Sequence, residues 1–232
     1  MSAIQTLRLA AACECASWST EELEEYVGGL SNPSKMPGYS YGLPAADCQV
    51  GARLRNIQGS TCHSCYAHKG FYRYPVVRAA YRRRADSLER EYWVEAMAEL
   101  ITRRCARVAF FRWHDSGDLQ SVNHLRRICD VAQLTPDVSH WLPTREYRIV
   151  TDYVSAGGAI PANLCVRLSA HMIGGHVPAF PRLAGLVTVS TVSANGEFPG
   201  SHHCPSRHQG NACGDCRACW SPDVSHVDYH LH

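Results

Sequence analysis

Residues 108–169 read VAFFRWHDSGDLQSVNHLRRICDVAQLTPDVSHWLPTREYRIVTDYVSAGGAIPANLCVRLS. Three apolar runs of strand length, 108–113, 138–142 and 164–168, are separated by segments of helical period at 119–134 and 147–154. Strand and helix in alternation require parallel strands joined by crossover helices. A further strand pattern at 186–192 extends the series. The fold class expected is α/β, with a partial or compact (β/α) barrel-like parallel sheet and a cysteine-rich, metal-binding C-terminal segment. Four or five recognisable strands are fewer than a closed eight-stranded barrel needs, so either strands hide in residues 31–75 or the barrel is incomplete.

Upstream, Ser19 with Glu22 three residues later forms a capping box for a helix running towards Gly28 and Gly29. Residues 31–61 are rich in Pro, Gly and Ser and read as loop, and 76–104 reads as two helices carrying Ala79, Leu88, Met97 and Leu100. The chain is expected to be a single domain. Its parts are an N-terminal helix (1–30), a Cys-containing loop region (31–75), a β/α core (76–200) and a Cys/His metal segment (201–232).

At 232 residues, 45% hydrophobic and 19% charged, the chain has the means to bury a core, which excludes disorder throughout. No apolar run of about 18 residues occurs, and the mildly apolar start from Leu7 to Ala12, broken by Glu14, lacks a signal-peptide layout. The expectation is a protein of the cytoplasm with no membrane partner. Twelve cysteines in a reducing compartment then argue for metal rather than disulfides. Charge is uneven: residues 1–30 hold five acids against one Arg, whereas 53–104 hold eleven basic residues against five acids. Such a segment favours a polyanion. Only Lys35 and Lys69 are lysines; arginine suits bidentate phosphate contact, but a GC-rich genome produces the same bias.

Polar residues recur where the strand patterns end. His114, Asp115, Ser116, Gly117 and Asp118 follow the first strand, Thr144, Arg145 and Glu146 the second, and Arg167 and Ser169 close the third. In parallel α/β folds that edge gathers the active-site loops. A simple cap of the next helix is the other role open to Asp118.

Cys213, Cys216 and Cys219 at two-residue gaps can aim three sulfurs at one centre, with Cys204, His226 or His230 completing four ligands. Zinc and an iron–sulfur cluster both fit that spacing. Cys62 and Cys65, with Cys48 and the histidines 63 and 68 in reach, form a possible second metal site. Cys105, Cys129 and Cys165 sit in apolar runs and read as packing residues. Radical chemistry on S-adenosylmethionine calls for a C-x-x-x-C-x-x-C run, which the chain lacks, yet either cluster remains a candidate for iron. From Tyr66 to Arg84, the cations Lys69, Arg73, Arg78, Arg82, Arg83 and Arg84 interleave with Phe71, Tyr72, Tyr74 and Tyr81. Phosphate attraction joined to stacking platforms is how proteins hold unpaired bases; a solvated helix face with aromatics packed beneath it is the alternative.

Asp115-Ser-Gly-Asp-Leu-Gln120 is similar to the D-S-G-G-F-Q motif of the tRNA-guanine transglycosylases, and Pro143-Thr-Arg145 resembles the P-T-R that follows their nucleophile. Phage DNA 7-deazaguanine transglycosylases are relatives of that family. The chain also resembles a group of small, cysteine-rich bacteriophage proteins, through Cys62-x-x-Cys65-Tyr-Ala67, His114-Asp-Ser-Gly-Asp118 and Cys213-x-x-Cys216-x-x-Cys219-Trp220. The transglycosylase likeness departs at the nucleophile, whose position holds Ser139, and in the spacing of the zinc ligands.

What the resemblance implies is a transferase exchanging guanine in phage DNA for a free deazapurine base through a covalent Asp–sugar intermediate. Asp115 and Asp118 would be the catalytic pair at the roughly 5 Å separation of a retaining mechanism, with His114 orienting a carboxylate and Asp137 and Glu146 in reserve. Arg145 and Arg167 would contact phosphate or base, and Ser116, Gly117, Gln120, Glu146 and Ser169 would line the pocket of an extruded guanine. Zinc on Cys204, Cys213, Cys216, Cys219 and His226 would be structural, with an iron–sulfur cluster as the alternative cofactor. Two other classes remain open: an iron–sulfur enzyme acting on nucleic acid or a small molecule, and a non-catalytic zinc-stabilised module that binds DNA or protein.

Overall fold

The computed structural model describes residues 14–194 and 198–231. The apolar start from Leu7 to Ala12, and Cys13, lie outside the described residues. Seven strands form one sheet: β1 (Tyr39–Tyr41), β2 (Phe110–Trp113), β3 (Ser139–Thr144), β4 (Leu164–Ser169), β5 (Thr188–Ser193), β6 (His202–His203) and β7 (His226–His230). Their order is β1-β2-β3-β4-β5-β7-β6, every pairing is parallel, and the two ends do not meet. The α/β expectation stands, as an open sheet. One strand did hide in the region read as loop: β1 is only three residues long, too short to show an alternation. The tail contributes β6 and β7 to the same sheet rather than standing apart as a metal segment.

The helices are α1 (Thr20–Val27), α2 (Gln49–Leu54), α3 (Pro75–Ser87), α4 (Trp93–Cys105), α5 (Val122–Leu134) and α6 (Tyr147–Ser155). Ser19 and Glu22 close the capping box at the start of α1, an arrangement worth about 1 kcal/mol. Ser121, not Asp118, caps α5 by accepting from the His124 N–H.

Period two along the strands sorts side chains onto two faces. Phe111, Trp113, Leu142, Val166 and Leu168 join Met97, Leu100, Leu125 and Val150 of the helices in the main core. On the other face Trp141, Cys219, Trp220 and Val227 form a smaller cluster, with Phe110 and Tyr229 against it. Central β4 is buried at all six residues because both faces are covered. Cys105, Cys129 and Cys165 are packing residues, each buried.

Since all strands run one way, Gly42, His114, Arg145 and Ala170 follow strand ends on a single edge. That edge carries backbone strain. His114 has φ 54°, which lets its N–H reach the Tyr41 carbonyl at 2.8 Å. Gly117 has φ 77°, and a Cβ there would meet the Leu43 carbonyl oxygen at 2.8 Å. Only glycine fits that turn.

Candidate functional site at the C-terminal edge of the sheet

Asp118 is buried and fully engaged. Its Oδ1 accepts from the Leu119 N–H at 2.8 Å and the Thr144 hydroxyl at 2.6 Å, and its Oδ2 accepts from the Arg145 N–H at 2.9 Å. Burial raises its carboxyl above the ordinary range, against the pull of those donors. The residue clamps the loop after β2 to the loop after β3, with three donors on its two oxygens, which differs from the expected catalytic pair. Gln120 supports the same clamp by donating Nε2–H to the Asp118 carbonyl at 2.7 Å.

Asp115 is placed differently. Its Oδ2 accepts from the Tyr81 hydroxyl at 3.1 Å, while Oδ1 is buried with no hydrogen-bond partner among the described residues. Gly42 makes room for it, since a Cβ on that residue would overlap Oδ1. The Tyr66 hydroxyl donates to the Asp115 carbonyl at 2.6 Å. Arg112, whose guanidinium lies 4.4 Å over the Trp141 ring, and Arg84, 5.2 Å over the Tyr81 ring, supply nearby positive charge. Burial and the Asp115 carboxylate together hold the Tyr81 phenol protonated. Ser116 Oγ is likewise buried without a partner. Unpaired buried polar groups cost free energy, so their concentration after β2 marks a place where structure has been given up to something else.

His114 does not orient a carboxylate here. Its ring packs edge-on against His124 of α5, and burial, reinforced by His124 and Arg112, keeps it neutral. Ser139, at the position of the family's nucleophile, begins β3 and so lies at the opposite edge from Asp115. Asp137 lies just before it, exposed.

The loop from residue 42 to 74 covers this edge. Gln49 Nε2–H donates to the Gln120 carbonyl at 2.8 Å, and the Val50 N–H donates to Glu146 Oε1 at 2.7 Å. Burial raises the Glu146 carboxyl. Further on, Arg145 Nε–H donates to Thr61 Oγ1 at 2.9 Å, and the Thr61 N–H reaches the His171 carbonyl at 2.9 Å. Cys48, Cys62 and Cys65 are thereby brought beside Asp118, Arg145 and Glu146. His63 and His68 turn away, to the Arg55 carbonyl and guanidinium.

Arg167 is not a phosphate ligand. It is fully buried on the second face, where its guanidinium donates to the carbonyls of Val189, Ala218, Ser221 and Val224 at 3.0–3.3 Å. An arginine at a strand end looked like a site residue; one position of strand alternation turned it inward. Ser169 is also internal, accepting from Ser190 Oγ at 3.1 Å.

Of the expected nucleic-acid contacts, Lys69, Arg73, Arg78, Arg82 and Arg83 are exposed. Arg82 is paired with Asp47 at 3.0 Å. Arg84 is a correction: it is 4% exposed, stacked between the Tyr41 and Tyr81 rings and bonded to Ser31. The neighbouring aromatics divide: Tyr81 is buried beneath the helix with Tyr72 stacked on it, whereas the others face outward. Tyr66, Phe71 and Tyr74 are 52%, 75% and 54% exposed, and Val76 beside them 72%.

In the tail, Cys204, Cys213, Cys216 and Cys219 surround the second-face cluster. Cys219 Sγ meets the Tyr229 hydroxyl at 3.1 Å, Cys216 Sγ meets His202 Nε2 at 3.4 Å, and Cys204 Sγ meets Ser206 Oγ at 3.3 Å. His226 is on the wrong side of β7. Its ring bonds to Thr191 at 2.8 Å, whereas Val227 and Tyr229 face the cysteines. His202, eleven residues before Cys213 and outside the expected ligand set, is the imidazole that approaches Cys216. Among the described residues no group of three or more His, Cys, Asp or Glu side chains is arranged to hold a metal ion, so the tail as it stands does not fit the expected tetrahedral zinc. No helix among the described residues is long and apolar enough to cross a membrane.

Compared with models of known families, residues 16–222 match the one described as Gene product 88. The match agrees with a small phage protein family and lends nothing to the transglycosylase likeness. No curated protein and no solved structure matches the chain.

Proposed function

The chain belongs to the Gene product 88 family, and from its site geometry we propose that it is an enzyme modifying a base of phage DNA at the C-terminal edge of the sheet. One observation carries this reading. Tyr66, whose ring opens the exposed aromatic and cationic stretch through Arg78, hydrogen-bonds through its hydroxyl to the backbone of Asp115. Stacking rings and cations suit an unpaired nucleotide, and they adjoin Asp115, the one carboxylate among the described residues of this edge with a buried oxygen that lacks a partner.

The reaction we assign is exchange of guanine for a free 7-deazaguanine. Asp115 Oδ1 attacks the anomeric carbon, and the electron pair of the glycosidic bond leaves with the guanine, which takes a proton from Glu146. The incoming base gives its ring proton to the Glu146 carboxylate, and the freed nitrogen displaces the Asp115 carboxylate from the anomeric carbon, which restores both acids. Asp118 takes no part beyond holding the two loops together. Tyr81 and Arg112 position the Asp115 side chain.

The test is transfer of labelled 7-deazaguanine into single-stranded and duplex DNA by the wild-type chain and by Asp115→Asn. Transfer lost in the variant, with DNA affinity kept, supports the assignment. DNA binding without transfer in the wild type would reject the exchange and favour a non-catalytic binding module.

A further inference from the structure

From Cys48 to Ala85 the chain holds eight Arg and Lys residues and no Asp or Glu. Arg82 is paired with Asp47, and Arg84 lies buried between the Tyr41 and Tyr81 rings. The other six, Arg53, Arg55, Lys69, Arg73, Arg78 and Arg83, are exposed, and none stands at ion-pair distance from a carboxylate among the described residues. Leu54, buried at the end of α2, turns Arg53 and Arg55 on either side of it outward. The Arg53 charge opposes the rise of the Glu146 acid, which places it beside the same edge. Arg55 is pinned from both sides of Tyr66 in the chain. Its carbonyl accepts from His63 Nδ1–H at 3.1 Å, and its guanidinium donates to His68 Nε2 at 3.4 Å. A cation fixed in this way loses little freedom when an anion binds it.

We propose that Arg53 and Arg55 bind backbone phosphates of one continuous unpaired DNA strand whose bases stack on Phe71 and Tyr74. This assignment rests on the Asp115 edge being a DNA site, and it extends the contact past Tyr66 to the first half of the covering loop. A phosphodiester chain repeats one negative charge and one flat base per nucleotide, and the loop offers cations and rings in the same alternation, as Lys69, Phe71, Arg73, Tyr74 and Arg78. Phe71 and Tyr74 meet edge to face at 5.4 Å and stay mostly exposed, so a ring face is left for a base. Tyr66 leans on Tyr72 at 5.4 Å, and Tyr72 stacks on the buried Tyr81, which fixes the rings to the body of the protein. A duplex keeps its base faces stacked on one another and would leave these rings unused. An acidic peptide would satisfy the cations but brings no run of flat faces.

The probe is a labelled oligothymidine, which holds no guanine, so binding is read apart from base exchange. Fluorescence anisotropy follows its affinity for the full chain from about 50 mM salt to about 1 M. Two single-strand phosphate contacts contribute about 1.4 to the slope of log K against log salt, so Arg53→Ser/Arg55→Ser should flatten the slope by about that amount and weaken binding by about 60-fold at the low-salt end. Arg53→Ser alone, which leaves the Arg55 contacts intact, should flatten it by about 0.7. Arg53→Lys/Arg55→Lys should keep the slope. Arg107→Ser/Arg182→Ser removes the same charge ahead of β2 and β5, at the opposite edge, and should also keep it. An unchanged slope in Arg53→Ser/Arg55→Ser, an equal loss in Arg107→Ser/Arg182→Ser, or tighter binding of duplex or oligoglutamate than of oligothymidine would overturn the assignment. A flattened slope in a chain that transfers no 7-deazaguanine supports it and rejects only the exchange.

Discussion

Replacing Asp118 by alanine tests whether that carboxylate is a clamp. The substitution strands three donors, the N–H groups of Leu119 and Arg145 and the hydroxyl of Thr144, at a position 6% exposed. Each buried donor left unmade costs about 1–3 kcal/mol. Two effects subtract: the Thr144 hydroxyl can turn to another acceptor, and the cost of burying a carboxylate, visible in its raised pKa, disappears. A net loss of about 3–5 kcal/mol follows, a large part of the roughly 5–15 kcal/mol that stabilises an ordinary domain. For a chain of this size that corresponds to a fall in Tm of about 6–20 °C. Asp115→Asn is the control. It keeps an acceptor for Tyr81 and exchanges one unpartnered buried group, the Oδ1 of a carboxylate, for another, an amide NH2, so its Tm should move by no more than about 2 °C. Differential scanning calorimetry on both variants decides. A Tm for Asp118→Ala within about 2 °C of wild type would refute the clamp and return Asp118 to the list of reacting groups.

Three further outcomes are expected. His124 and His140 lie buried and neutral, with burial the chief cause pushing each down to about 3. The unfolded chain, with histidines near 6.5, therefore binds more protons, and stability falls as pH drops from about 6.5 towards 3 by up to about 1.4 kcal/mol per pH unit for each; urea midpoints between those limits should slope accordingly, and less steeply in His140→Gln. Arg167→Met removes the guanidinium from four carbonyls, three of them in residues 218–224, of which Ala218 and Ser221 keep backbone donors, so it should cost about 1–3 kcal/mol and expose the tail to limited proteolysis; a tail as resistant as wild type would contradict this. Phe71→Ala and Tyr74→Ala should each weaken binding of a single-stranded oligonucleotide by about 1–3 kcal/mol without lowering Tm, since both rings are exposed; unchanged affinity by fluorescence anisotropy would remove the rim from the site.

By itself the sequence determined the parallel α/β alternation and the capping box at Ser19, because both are written in contacts between near neighbours. Strand runs of four to six residues and helices of nine or thirteen carry their periodicity with them, and a hydroxyl three residues from a carboxylate closes on itself. It also located the strand-end loops, since parallel strands must all finish on one edge. What it left open were contacts between residues far apart in the chain and the facing of single side chains. Whether Arg167 or His226 points to substrate, metal or core turns on strand alternation against layers the sequence does not display. Whether Asp118 reacts or clamps turned on Thr144 and Arg145, twenty-six and twenty-seven residues away. The meeting of Cys48 with Cys62 and Cys65 came only with the tertiary structure, because a thirteen-residue gap has no fixed length until Glu146 and Thr61 anchor its two ends to the sheet.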